Sequence, residues 1–154
     1  MILRRATAAD AATLARLNAH VQGWHAAEYP ETFFAVPDPV GLAAYYEGRL
    51  AEPGCTAFLT GDPAQGYALC CLQERDASVF SPANRRLLVE QIAVAPEARR
   101  KGVGRALMQA ARDLAGELQV DEIVLDTWEA NHAAHGFFRA EGFEPVRMLF
   151  RRKP

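Results

Sequence analysis

The sequence predicts an α/β fold in which a mixed sheet carries about four helices. Three observations lead there. First, Leu87 to Val94 is an aliphatic run of the kind found in buried strands, and Val103, Leu107, Ala110, Ala111, Leu114 and Leu118 follow at helical spacing. Ile123, Val124 and Leu125 then form another buried strand, and strand, helix, strand in this order is a right-handed crossover with parallel strands. Second, Cys55 to Thr60 and the nearly all-apolar Gly66 to Gln73 flank a turn containing Asp62 and Pro63, which predicts a hairpin. Third, two helical patterns precede the hairpin and one follows the last buried strand.

Taken in order, Ile2 to Arg5 reads as a short first strand. Thr7, with Asp10 three residues later, forms a capping-box pattern, and Leu14, Leu17, Val21 and Trp24 make one apolar stripe. This helix extends to about Glu28, and Pro30 breaks it. The segment QGWHAAEYPETFF, from Gln22 to Phe34, is aromatic and contains His25 and Glu28. It suits the wall of a pocket; the alternative is a helix corner with Phe33 and Phe34 in the core. Asp38 to Ala51 reads as a second helix, stopped by Pro53-Gly54. Glu74 to Asn84 is polar and reads as a loop. Asn131 can cap a fourth helix that Gly142 ends, and Phe143 to Arg152 reads as a final strand. With no repeat, linker or low-complexity tract, the 154 residues read as one domain, 1–154.

Composition narrows the function. Seventeen basic against 19 acidic residues give a net charge of −2, which argues against a nucleic-acid partner and makes the Arg99-Arg100-Lys101 cluster a local feature. The three cysteines, Cys55, Cys70 and Cys71, are odd in number, so no disulfide framework is expected. Neighbouring strand residues face opposite ways, which makes Cys70 and Cys71 poor joint metal ligands, and no metal is expected. All three read as small buried hydrophobes in a reducing compartment. No stretch reaches the roughly 20 apolar residues of a membrane span and no apolar signal core is present, so a cytoplasmic protein without membrane attachment is expected.

The chain is organised around the junction after Val94. Pro96 ends the strand, and Arg99, Arg100, Lys101, Gly102, Val103 and Gly104 lead into the helix. A helix start offers unpaired amides and the positive end of the dipole, and Gly102 and Gly104 clear side chains from those amides. Two readings stand at this point: an anion site, or a solvated basic helix start whose glycines serve only the turn. A P-loop would need GxxxxGK followed by Ser or Thr, which is absent, and a dinucleotide GxGxxG would need glycine or alanine where Leu107 stands.

Arg99-Arg100-Lys101-Gly102-Val103-Gly104, preceded by Ile92-Ala93-Val94-Ala95-Pro96, resembles the acyl-CoA-binding motif of the GCN5-related N-acetyltransferases. Asn131, Ala134, Phe137, Phe138, Gly142 and Phe143 resemble the second motif of the same family, NxxAxxFYxxxGF. The two motifs together span Leu87 to Phe143. The resemblance implies a mostly antiparallel sheet with one splayed parallel strand pair, and acetyl-CoA as cosubstrate wedged into the splay. It implies backbone contacts from Ile92, Ala93 and Val94 to pantetheine, and amides and charge from Arg99 to Arg105 at the pyrophosphate. Asn131, Ala134, Phe137 and Phe138 are also placed at the cofactor. An amine then attacks the thioester directly, with the oxyanion held by a strand amide.

Phe138 occupies the position where the family usually has tyrosine, the acid credited with protonating the departing thiolate. A thiol with a pKa of roughly 8.5 can leave without that proton. His135, one turn earlier, is a substitute acid or a surface histidine. An attacking alkylamine, with a pKa near 10.4, must be deprotonated. Glu90 is the first candidate base, on the face of Ile92 and Val94 unless a bulge intervenes; the alternative is an ion-pair partner for Arg85, Arg86 or another nearby cation. His25, Glu28 and Glu74 stand behind it. Trp24, His25, Glu28, Tyr29 and Trp128 are the candidate acceptor-side residues.

The sequence therefore reads as an acetyl-CoA-dependent N-acetyltransferase acting on a small-molecule or peptide amine. A non-catalytic acyl-CoA-binding or sensing domain, which Phe138 favours, and a nucleotide-binding enzyme using the GVG turn are the alternatives. Met148-Leu149-Phe150 offers a surface for a homodimer, or belongs to an internal strand.

Overall fold

A computed structural model describes residues 1–154. Five strands form one sheet in the order β1-β2-β3-β4-β5: Leu3–Arg5, Cys55–Thr60, Gly66–Arg75, Asn84–Val94 and Ile123–Val124. The first four are antiparallel neighbours, and β5 joins β4 in parallel. Helices α1 (Ala11–Glu28), α2 (Pro39–Ala51), α3 (Val103–Glu117) and α4 (His132–Ala140) surround the sheet. The fold class is the one that the sequence predicts.

Helices α2 and α4 begin where a side chain accepts from a free amide, whereas α3 begins at Gly102 with no side-chain cap. Thr7 and Asp10 make the expected capping box, although it closes a short 3-10 turn, Ala8–Asp10, from which α1 continues. Asp38 Oδ2 accepts from Gly41 N–H at 2.8 Å, and Asn131 Oδ1 accepts from Ala134 N–H at 3.1 Å. The sheet separates two cores. Leu87, Val89, Leu107, Met108, Leu114 and Phe138 fill the α3–α4 side. Leu14, Leu17, Tyr46, Leu59, Tyr67 and Leu69 fill the α1–α2 side.

Two expectations fail. Residues 143–152 form no strand: Phe143 packs on the core, and the chain beyond it is exposed with no ladder partner. Pro145 lacks an amide hydrogen, and β5 offers only two residues to pair against. The second concerns cysteine. The β2–β3 register sets Cys55 directly opposite Cys71, and the two form a disulfide. Cys70 points to the other core and stays a buried free thiol, whose pKa burial pushes up to about 12. The opposite facing of Cys70 and Cys71 is as expected; the reading of all three as reduced is not.

Candidate active site

The site is built where β4 parts from β5. Strand β4 pairs with β3 along its length but with β5 only at Leu87↔Ile123 and Leu88↔Val124. Beyond Leu88 the β5-facing backbone of β4, including Ile92, Ala93 and Val94, has no strand to pair with on that side.

The β3–β4 register also slips here. Leu69 pairs with Gln91 and Cys70 with Val89, so Glu90 is the extra residue of a bulge. The bulge overturns the expected facing. Val89, Ile92 and Val94 lie on the α3–α4 side, whereas Glu90 and Gln91 both turn toward α2. Glu90 therefore does not share a face with Ile92 and Val94.

Its carboxylate is held from two directions, and a disulfide sulfur with no proton to give lies beside it. Tyr45 Oη donates to Oε1 at 2.7 Å, Arg49 Nη2 pairs with Oε2, and Cys71 Sγ lies 3.2 Å from Oε2. Arg49 Nη2 also donates to Cys71 Sγ at 3.0 Å. Burial opposes the charge on Arg49, but the pairing with Glu90 outweighs it and raises the guanidinium pKa. Arg85 and Arg86 go elsewhere: Arg85 to Glu74 at 3.4 Å, Arg86 to Gln73 at 3.0 Å. Behind Glu90, both Tyr46 Oη and Tyr67 Oη donate to Gln91 Oε1, at 2.6 and 2.8 Å, and Asn18 Nδ2 donates to Tyr67 Oη at 3.2 Å. Burial pushes the Tyr45 hydroxyl to about 12 and raises Tyr46 and Tyr67 as well, so all three stay protonated donors at neutral pH. Sequence reasoning missed this network. The i,i+4 spacing of Tyr45 and Arg49 shows that they share a helix face, but not that the face meets a bulge.

The turn after β4 has two residues at positive φ, Arg100 at 65° and Gly102 at 83°. Such alternation aims successive amides inward, as in an anion-binding nest. A Cβ on Gly102 would meet nothing within 4 Å, so its side of the turn is open. Gly104 has a different reason: a Cβ there would stand 3.1 Å from Phe137 Cζ, so its lack of a side chain admits Phe137 to the start of α3. The cations divide. Arg99 Nε folds back onto Val94 O at 3.2 Å, and Arg105 lies 3.5 Å from Glu141, which also takes Arg112 at 3.0 Å. Arg100 and Lys101 are exposed and make no ion pair, and Val103 is buried in the core.

On α4, Ala134 and Phe137 pack on the core, and Phe138 is buried against Phe137 and Phe143 at 5.2 and 5.8 Å between ring centroids. His135 Nε2 bonds Trp128 O at 3.0 Å; a carbonyl only accepts, so this nitrogen carries the proton.

The acceptor-side aromatics do come together. Tyr29 and Trp128 rings lie 4.6 Å apart, His25 stacks on Phe33 at 4.8 Å, and Phe33 meets Trp128 edge-on at 5.2 Å. Trp24 closes on His25 at 5.5 Å. Ala130 N–H donates to Tyr29 Oη at 3.1 Å, tying the β5–α4 loop to the end of α1. Glu28 is exposed beside this cluster. Burial lowers the His25 pKa below its usual 6.5, which keeps the imidazole neutral at pH 7. Phe33 belongs to the cluster, while Phe34 is 81% exposed and lies outside any core.

Comparison with known proteins agrees with this architecture. Residues 13–143 match the Acetyltransferase (GNAT) family. The uncharacterized N-acetyltransferase YhfO of Bacillus subtilis is 26% identical over 144 residues, 94% of this chain and 90% of that protein. Streptothricin acetyltransferase of Streptomyces lavendulae is 41% identical over 64 residues, 42% of this chain and 34% of that protein. Among solved structures, a tetramutant of the BH1408 protein of Bacillus halodurans superposes with a TM-score of 0.91 at 21% identity, over 100% of both chains. The aminoglycoside N-acetyltransferase AAC(6')-Iy, in complex with CoA, superposes with a TM-score of 0.77 at 21% identity, over 99% of this chain and 93% of that one. At such identities the two structures speak to the fold.

Proposed function

The chain belongs to the GNAT acetyltransferase family and is an acyltransferase, and from that premise we propose that it passes the acetyl group of acetyl-CoA directly to a primary amine of a small-molecule acceptor. The observation that carries the reading is the coincidence, at one end of β4, of an unpaired strand edge and a positive-φ basic turn. In this reading the free edge at Ile92, Ala93 and Val94 pairs with the pantetheine amides, and the amides from Arg100 to Gly104 hold the pyrophosphate. Arg100 and Lys101 supply the charge, since Arg99 and Arg105 are engaged within the chain.

Acetyl-CoA brings the activated acyl group; the chain positions it and manages the protons. A strand amide near the bulge stabilises the developing oxyanion. Glu90 is the base for the ammonium of the acceptor, with Tyr45 and Arg49 fixing its carboxylate. Phe138 has no proton to give and its ring is buried, so the thiolate departs without an acid from that position. The Nε2 proton of His135 is committed to Trp128 O, so that nitrogen supplies none to the thiolate. The small-molecule acceptor draws support from relatives named for aminoglycoside and streptothricin.

The alternative, acyl-CoA binding without turnover, is favoured by Phe138 and by the pairing of Glu90 with Arg49. The proposal also includes a single domain, cytoplasmic residence and a homodimer through Met148, Leu149 and Phe150. No helix is long and apolar enough to cross a membrane.

Thermal unfolding with acetyl-CoA, CoA, NAD or ATP, followed by thiol release with an amine panel, tests the reading. A ligand at about 100 times its Kd adds about 2.7 kcal/mol, or several degrees of Tm at this length. A shift confined to acetyl-CoA and CoA, with thiol release, is expected. A shift without turnover leaves the binding domain; no shift with either CoA species removes both readings.

A further inference from the structure

The aromatic cluster joins the end of α1 to the loop after β5. Four residues beyond the last β4–β5 rung, β4 reaches Ile92 and the chain leaving β5 reaches Trp128. Helix α1, whose end carries Trp24 and His25, packs across β4. Trp128 thus follows the point where the two strands part, and the end of α1 brings Trp24, His25 and Tyr29 to it. Two bonds pin the Trp128 loop, one to Tyr29 and one to His135. Trp128 nevertheless remains 36% exposed, so the platform is fixed but not covered.

Three carboxylates adjoin the cluster's residues in the chain. Glu28 precedes Tyr29, Asp126 stands two residues before Trp128, and Glu129 follows it. All three are exposed, and none forms an ion pair. The one nearby carboxylate that is neutralised is Glu31, paired with Lys153. His25 adds no opposing charge at pH 7. Electron-rich ring faces adjoined by unpaired carboxylates fit a cation better than an uncharged apolar group.

The ammonium that reacts belongs at its base, Glu90, whose carboxylate is bound by Tyr45 and Arg49 of α2 and by none of the cluster's rings, so a cation on the platform is a different nitrogen. We propose that the aromatic platform of Trp24, Tyr29, Phe33 and Trp128 binds a second, still cationic ammonium group of the acceptor, which makes the acceptor a diamine or oligoamine. This rests on the acyltransferase reading for the reacting amine, but the binding of the cation does not.

The chain has two tryptophans, Trp24 and Trp128, and both lie in this cluster. Tryptophan fluorescence therefore reports the platform directly. The full-length protein is titrated with choline and with its uncharged carbon isostere 3,3-dimethylbutan-1-ol, then with 1,4-diaminobutane and 1-aminobutane. Choline is expected to bind about five- to thirtyfold more tightly than its isostere, and the diamine more tightly than the monoamine. Trp128→Leu, checked for folding by circular dichroism, should abolish the choline preference, read on Trp24, while leaving the acetyl-CoA thermal shift intact. Trp128→Phe should retain most of the preference, and it serves as the test if the leucine variant does not fold. Equal binding of choline and its isostere, or a preference that survives Trp128→Leu, overturns the proposal. A missing acetyl-CoA shift with cation binding intact would instead fault the acyltransferase reading.

Discussion

At the scale of the residue, the side chains with most consequence are carboxylates whose partners the fold has chosen. Asp10 is 8% exposed and accepts both Arg4 nitrogens at 2.8 Å and Thr7 N–H at 2.7 Å. The Arg4 hydrogen bonds come first in holding its pKa well below the usual carboxylate range. A depressed folded pKa contributes stability that is present above the unfolded value, about 3.9, and is lost as pH falls through and below it. Asp10→Asn should cost about 1–3 kcal/mol at pH 7, read as a lower urea midpoint, and the difference from wild type should shrink below about pH 4. Equal losses at pH 3 and pH 7 would assign the effect to packing. Glu90 is the catalytic counterpart. Glu90→Gln keeps the shape and removes the base, so turnover should fall about 100-fold or more while acetyl-CoA affinity changes little. An unchanged rate would leave Glu90 as the anchor of Arg49 and nothing more.

At the scale of the element, the turn from β4 into α3 asks different things of its two glycines. Gly102→Ala places a Cβ at a φ of 83°, in open space, and should cost about 1–2 kcal/mol through backbone strain alone. Gly104→Ala has no such strain but drives a Cβ into the Phe137 ring. It should displace α4 from α3 and weaken CoA binding more than Gly102→Ala does, as paired Tm and CoA titrations would show. The element was legible in the sequence, because a strand, a glycine-bearing basic turn and an amphipathic helix each leave a local pattern. The separate reasons for the glycines were not, since one depends on a ring 33 residues away in the chain. The Glu90 bulge was illegible for a similar reason. Leu87 to Val94 reads as the aliphatic run of a regular buried strand, and only the register against β3 exposes the extra residue. Cys55 and Cys71 show the same limit: a hairpin was foreseen, but its register decides which cysteines meet.

At the scale of the whole molecule, the hairpin and the parallel crossover followed from the sequence pattern, while the fate of the last residues did not. A strand of mixed polarity was expected at 143–152. In the fold these residues find no ladder, and Met148, Leu149 and Phe150 stand 71%, 97% and 81% exposed. Three consecutive large apolar residues in water are a surface that association would cover. The adjoining facts suit a second copy: β5 is a two-residue edge strand, and the chain after Phe143 has no ladder partner of its own. In a twofold arrangement each tail would meet the other chain, so the contact is made twice. Sedimentation equilibrium at tens of micromolar should give twice the 16.9 kDa chain mass. Leu149→Glu, at the most exposed position of the three, should shift that mass to the monomer without lowering the Tm of the monomer itself, because in the single chain Leu149 packs on nothing. A wild-type mass of one chain across that range would end the dimer proposal and leave the triplet to some other partner.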